Sequence, residues 1–106
     1  MRDEGNWFVQ VTDEAERDLK RLKKRRKKVW REATGRIKAL ETDPLVGDSC
    51  HPPLDNVRRV HFARDKYRLA WLVLEESRRV DVLAVDRKTP VFYDRVLVRL
   101  RQLVER

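Results

Sequence analysis

The strongest constraint on the fold is the stretch from Val57 to Tyr93, where strand-like apolar runs follow one another across short polar connections. In Val57 to Arg64, Val60 and Phe62 fall on one face and Arg59 and His61 on the other, because strand side chains alternate with a period of two. One face is core and the other is wet and cationic. Tyr67 to Glu75 is almost continuously apolar through Leu69, Ala70, Trp71, Leu72, Val73 and Leu74, the pattern of a central strand covered on both faces. Val80 to Asp86 repeats that pattern. The connections Ala63-Arg64-Asp65-Lys66 and Glu75-Glu76-Ser77-Arg78-Arg79 are short enough to predict an antiparallel meander. Arg68 opens the middle strand and Arg87 ends the third, so the spacing allows Arg59, His61, Arg68 and Arg87 to converge on one concave face. Tyr93 follows a turn at Lys88-Thr89-Pro90.

Before this stretch, Asn6 to Val11 reads as a first strand and Thr12 as a helix N-cap, with Asp13 and Glu14 complementing the dipole of the helix that follows. Ala15, Leu19 and Leu22 mark one apolar stripe; Val29, Trp30, Ala33, Ile37 and Leu40 mark another. Between them lies the fully basic run Lys23 to Lys28. Periodicity alone allows a single long helix whose one missing stripe residue is Arg26. Asp43-Pro44 and Gly47 end the helical region, and Asp48 to Asn56 reads as a loop because Pro52 and Pro53 oppose regular pairing. Phe92 to Arg106 carries Val96, Leu97, Leu100, Leu103 and Val104 at helical spacing and is expected to cover the sheet. Trp7, Trp30 and Trp71 lie on apolar stripes and are expected in the core.

A chain of 106 residues is expected to form one domain, residues 1–106, with a small core. Its formal net charge of +8 favours a polyanion or an acidic protein as partner. Ten of the fifteen residues from Arg17 to Arg31 are Lys or Arg, and Asp18 is the one acid among them. The plain reading of such a run is a solvated helix face. Beside a cationic strand face, Lys20, Lys23, Lys24, Arg25, Arg26, Lys27, Lys28 and Arg31 become candidate contacts to a nucleic-acid backbone.

A single cysteine forms no internal disulfide, no apolar run approaches a membrane span, and the opening MRDEGNW lacks the regions of a signal peptide. A reducing cytoplasm is the expected setting. Cys50-His51 falls short of a metal site, having no further Cys and a single other His. The chain offers no acidic cluster for Mg²⁺ and no Ser-His-Asp set, so no metal or cofactor is expected. RNA cleavage by its own 2′-hydroxyl suits this inventory, because the substrate supplies the nucleophile and the protein supplies position, positive charge and proton transfer.

The run PLDNVRRVHFARDKYRLAWLV, followed by VLAVDRKTPVFYD, resembles the RelE branch of the RelE/ParE toxin superfamily of bacterial toxin–antitoxin systems, and the resemblance extends from about Phe8 to Val104. It implies an α+β, RelE-like microbial RNase fold: an N-terminal strand, a helical hairpin turning near Lys24 to Lys27, a three-stranded antiparallel meander completing a small sheet, and a C-terminal helix. It implies metal-independent cleavage of messenger RNA in the ribosomal decoding site, neutralised by a cognate antitoxin. The family's functional positions fall on Arg59, His61, Arg68, Arg87 and Tyr93. Arg68 and Arg87 would neutralise the scissile phosphate, while Tyr93 would stack on a base or orient the 2′-hydroxyl.

Two departures from the family pattern bear on that assignment. Arg59 and His61 stand where the closest pattern has lysines, which makes Arg59 an electrostatic clamp and His61 the better proton-transfer group. Asp86 stands where a small residue commonly precedes the arginine, and a carboxylate there is expected to pair with Arg87 and blunt it. The ParE branch, whose members inhibit DNA gyrase, shares the fold and is the alternative reading; a catalytically inactive basic binding module is a third. The expected partners are an antitoxin lying on the cationic cleft and the apolar underside of the last helix, together with the ribosome and messenger RNA, and no membrane.

Overall fold

The computed structural model describes residues 6–54 and 56–105; residues 1–5 of the opening segment, Asp55 of the expected loop and Arg106 of the expected closing helix lie outside them. The elements run β1 (Phe8–Val11), α1 (Asp13–Arg25), α2 (Lys27–Ala39), β2 (Asp48–Ser49), β3 (Val57–Phe62), β4 (Tyr67–Leu74), β5 (Arg79–Arg87) and α3 (Phe92–Val104). One sheet has the order β1-β5-β4-β3-β2, with β1 parallel to β5 and every other pair antiparallel. The expected meander is therefore β3-β4-β5, and the first strand joins it beside β5.

Thr12 caps α1, its hydroxyl accepting the Ala15 N–H at 3.3 Å and donating to the Val82 carbonyl at 2.9 Å. It thus starts the helix and ties it to β5. The basic run is a hairpin rather than one long helix. Arg26, with φ −142° and ψ 73°, is the single residue outside helical geometry between α1 and α2, at the place where the apolar stripe is interrupted.

The sheet separates two apolar layers. Phe62, Leu69, Trp71, Val80, Val82 and Val85 face Ala15, Leu19, Leu22, Ala33 and Ile37 of the hairpin. Val57, Ala70, Leu72, Leu83 and Ala84 face Phe92 and Val96 of α3. β4 is therefore covered on both faces, as its unbroken apolar run predicts. Trp71 is fully buried and donates its indole N–H to the Pro44 carbonyl at 2.8 Å, which pins the α2–β2 connection to the sheet. Trp7 and Trp30 are half-buried at the margin of the hairpin layer rather than in its centre.

One short pairing corrects the expected loop from Asp48 to Asn56. Asp48 and Ser49 pair with Arg59 and Arg58, and the two prolines lie beyond this ladder. The pairing is possible because Gly47 adopts φ 75° directly against the Arg59 backbone, and because Arg58 donates to Val46 O, Gly47 O and Ser49 Oγ, each at 3.0 Å.

Candidate functional site

Strand alternation places Arg59 and His61 of β3 on the α3 side of the sheet, and the antiparallel register sets Arg68 of β4 directly opposite His61. Arg68 Nε donates to His61 Nε2 at 3.2 Å, and His61 Nδ1 contacts Asp65 Oδ1 at 2.7 Å. An imidazole nitrogen that accepts from a guanidinium carries the lone pair, so the proton resides on Nδ1, facing the Asp65 carboxylate. Asp65 also receives Lys88 Nζ at 3.1 Å. That hydrogen bond, ahead of the charges of Lys88 and His61, holds the Asp65 carboxyl below its ordinary range.

α3 brings Tyr93 over the same face. The Arg68 guanidinium carbon lies 4.8 Å from the Tyr93 ring centroid and that of Arg59 lies 5.4 Å from it, so two cations share one aromatic ring. Phe92 meets Tyr93 edge-on at 5.1 Å and fixes the ring. Arg59 Nε and Tyr93 Oη are buried without a hydrogen-bond partner among the described residues. Cys50 forms part of the wall: burial pushes its thiol up from the ordinary value, and neighbouring Arg59 partly offsets this.

Arg87 does not join this group. It is paired with Tyr67, whose side chain belongs to the hairpin layer, and its guanidinium carbon lies 5.9 Å from the Tyr67 ring. Tyr67 raises the Arg87 pKa further, mainly by hydrogen bonding. The cause of the separation is a bulge in β5. Ala70 pairs with Ala84 and Trp71 with Val82, so Leu83 is an extra residue and the facing of everything after it is inverted. The expected convergence of four basic residues is thus three residues with Tyr93, while Arg87 lines a separate hollow of about 310 Å³ with Lys66, Lys88 and Thr89.

The expected pairing of Asp86 with the Arg87 side chain is also corrected. The Asp86 carboxylate accepts the Arg87 backbone N–H at 2.7 Å and pairs with the Arg95 guanidinium of α3. The Asp86 charge still helps to hold the Arg87 pKa up, but its ion pair goes to Arg95, which anchors α3 on the sheet.

Lys20, Lys23, Lys24, Arg25, Arg26, Lys27, Lys28 and Arg31 are all exposed on the helical hairpin, which packs on the sheet face opposite Arg59, His61 and Arg68. They do not lie beside the cationic strand face. Lys20, Lys23, Lys24 and Lys27 line a groove of about 510 Å³ with Arg21, while Lys28 turns toward Ala63 and Arg64.

Asp65, Cys50 and Arg95 are absent from the set read from the sequence. Asp65 had a legible signal, since a four-residue turn after Phe62 places it within reach of His61; Cys50 and Arg95 had none. Among the described residues, no group of three or more His, Cys, Asp or Glu side chains is placed to hold a metal ion, and no helix is long and apolar enough to cross a membrane.

The fold has known counterparts. A chain of the RelBE2 toxin–antitoxin complex from Mycobacterium tuberculosis is 25% identical and superposes with a TM-score of 0.67, over 78% of this chain and 99% of that one. A free mutant RelE toxin from E. coli aligns over 93% of this chain and 98% of its own at 16% identity and a TM-score of 0.66. A chain of the chromosomal ParDE system from P. aeruginosa aligns over 81% and 100% at 16% identity and a TM-score of 0.63. The last two likenesses speak for the fold alone. No curated protein sequence matches the chain. The family described as the ParE toxin of the type II toxin–antitoxin system matches residues 9–89, which span β1 through β5. With three quarters of its length matched to that family, the chain belongs to the RelE/ParE toxins of type II toxin–antitoxin systems.

Proposed function

We propose that this toxin is a metal-independent endoribonuclease that cleaves messenger RNA on the ribosome and so arrests translation in the cytoplasm. The observation that carries this reading is an imidazole nitrogen on a doubly cationic face, with His61 Nε2 3.2 Å from Arg68 Nε and both Arg68 and Arg59 packed against Tyr93. In the step, the 2′-oxygen bonds to phosphorus while its proton passes to His61 Nε2. The bond from phosphorus to the 5′-oxygen breaks, and that oxygen leaves with a proton from solvent. The products are a 2′,3′-cyclic phosphate and a 5′-hydroxyl end. Arg59 and Arg68 carry the added charge of the pentacoordinate phosphate, a task for cations that stay protonated.

Tyr93 then stacks on a base or orients the 2′-hydroxyl from its place on α3 over Arg59 and Arg68. Arg87, with Lys66 and Lys88, takes an adjoining phosphate rather than the scissile one. The hairpin cations from Lys20 to Arg31 hold ribosomal RNA backbone from the other layer and contribute affinity rather than sequence choice. A cognate antitoxin neutralises the toxin by binding it, a reading supported by the toxin–antitoxin complexes among its structural neighbours. The test is cleavage of a messenger bound to programmed ribosomes: the parent cleaves, and Arg68→Ala loses at least about a hundredfold in rate. A parent that cleaves nothing overturns the reading.

A second reading, inhibition of DNA gyrase, is favoured by the ParE description of the matching family and by the separation of Arg87 from the other three site residues. A supercoiling assay separates the two, since poisoning of gyrase is expected on this reading alone.

A further inference from the structure

Ala63, Arg64 and Asp65 have φ values of 54°, 59° and 67°, so the β3–β4 turn is a left-handed coil made without glycine. Each such residue costs about 1–2 kcal/mol over a right-handed one. Strain of this kind persists where surrounding contacts over-determine it, and it clusters at functional sites. The contacts are visible here. Lys66 N–H reaches back to the Ala63 carbonyl at 3.2 Å, and the Asp65 carboxylate bridges His61 Nδ1 at 2.7 Å and Lys88 Nζ at 3.1 Å. The coil turns Asp65 back over its own strand, onto the imidazole four residues earlier.

The geometry points to Asp65 as the positioning residue of His61: it holds the ring in the Nδ1–H tautomer and thereby aims the Nε2 lone pair at the Arg59, Arg68 and Tyr93 face. This inference deepens the ribonuclease reading and rests on it. It also explains the contact with Arg68. In the free protein Arg68 Nε–H occupies the lone pair. A phosphate oxygen that draws the Arg68 guanidinium to itself withdraws that donor and leaves Nε2 open to the 2′-hydroxyl proton. The base is therefore masked until its substrate arrives, and no separate gate is required.

The discriminating variant is Asp65→Gly. Glycine accepts a φ of 67° without strain, so the turn is preserved or eased while the carboxylate is lost. The first readout is the ¹⁵N signature of His61, recorded above the ordinary imidazole range in an Arg68→Ala background, because Arg68 Nε–H by itself also favours Nδ1–H. With Asp65 in place that protein is expected to show Nδ1–H, and with Asp65→Gly a population shifted toward Nε2–H. The second readout is turnover on ribosome-bound messenger, where kcat is expected to fall at least about tenfold with KM within about twofold. An unchanged tautomer, or unchanged kcat with the turn intact, overturns the assignment. A parent that fails to cleave ends the ribonuclease reading, while the tautomer measurement still decides the role of Asp65.

Discussion

Asp18 of α1 and Arg99 of α3 grip each other around the rim of the sheet, with Arg99 Nη1 2.7 Å from Asp18 Oδ2 and Nη2 3.2 Å from Oδ1. The two helices lie on opposite faces, and the pair joins them across the edge that β1 leaves uncovered, since β1 pairs with β5 no further than Val82. Beyond that point Asp18 Oδ2 accepts the Val85 N–H at 3.0 Å and Arg99 donates to the Leu83 carbonyl at 2.9 Å. The ion pair thus stands in for the missing strand. It also holds α3, and with it Tyr93, over Arg59 and Arg68.

Removing one member of such a buried pair leaves an uncompensated charge and an unpaired β5 amide. Asp18→Ala is expected to destabilise the fold by about 3–5 kcal/mol, read as a lower urea midpoint. Arg99→Ala is expected to cost less, because Arg21 and the Val85 amide still serve Asp18. Equal midpoints for Asp18→Ala and the parent would remove the edge-closing role.

Gly47 is a second point where geometry leaves no latitude. A Cβ there would sit 2.1 Å from the Arg59 carbonyl oxygen, and φ is 75°. Gly47→Ala is expected to destabilise by more than about 1 kcal/mol and to push the Arg59 backbone away from β2. Calorimetry reads the first effect; a Tm equal to the parent's contradicts it.

Much of this architecture was legible from alternation and turn length. The facing of Arg59 and His61, the double cover over β4 and the Thr12 cap all follow from local rules that tertiary packing leaves intact. Arg87 was not legible, because its facing depends on one inserted residue. Counting by twos from Val80 puts Arg87 on the His61 face, whereas the bulge at Leu83 turns both Leu83 and Ala84 toward α3 and inverts the rest. A run as uniformly apolar as Val82-Leu83-Ala84-Val85 hides such an insertion, since no polar residue shows the alternation slipping. β2 was hidden for another reason: two residues are too short to display a period, and their pairing depends on how closely Gly47 approaches Arg59.

The Asp65–Lys88 contact predicts a pH effect of definite sign. Lys88 holds the Asp65 carboxyl below its ordinary value. The contribution of this contact is therefore fully present above the unfolded-state carboxylate value near ~4 and is lost as the pH falls through the lower folded-state value. Lys88→Ala should move the Asp65 midpoint up toward the ordinary range in a ¹³C carboxyl titration. A midpoint that stays where it was would show that Lys88 is not the cause.

The hairpin cations predict how binding depends on salt. Lys23, Lys24 and Lys27 line one groove on the sheet face away from His61, so their loss should leave the Arg59, His61 and Arg68 geometry in place. Each phosphate contact releases counterions, with a slope in log K against log salt of about 0.7 to 0.9 per contact. The triple variant Lys23→Ala, Lys24→Ala, Lys27→Ala should bind ribosomes more weakly at low salt, with a slope shallower by roughly 2 to 3 than the parent's. Turnover of messenger already bound should change little, because the groove carries affinity and the other face carries the chemistry. A parent-like slope would return these lysines to a solvated helix face, and a loss of turnover at saturating ribosome would show that the two faces of the sheet act as one site.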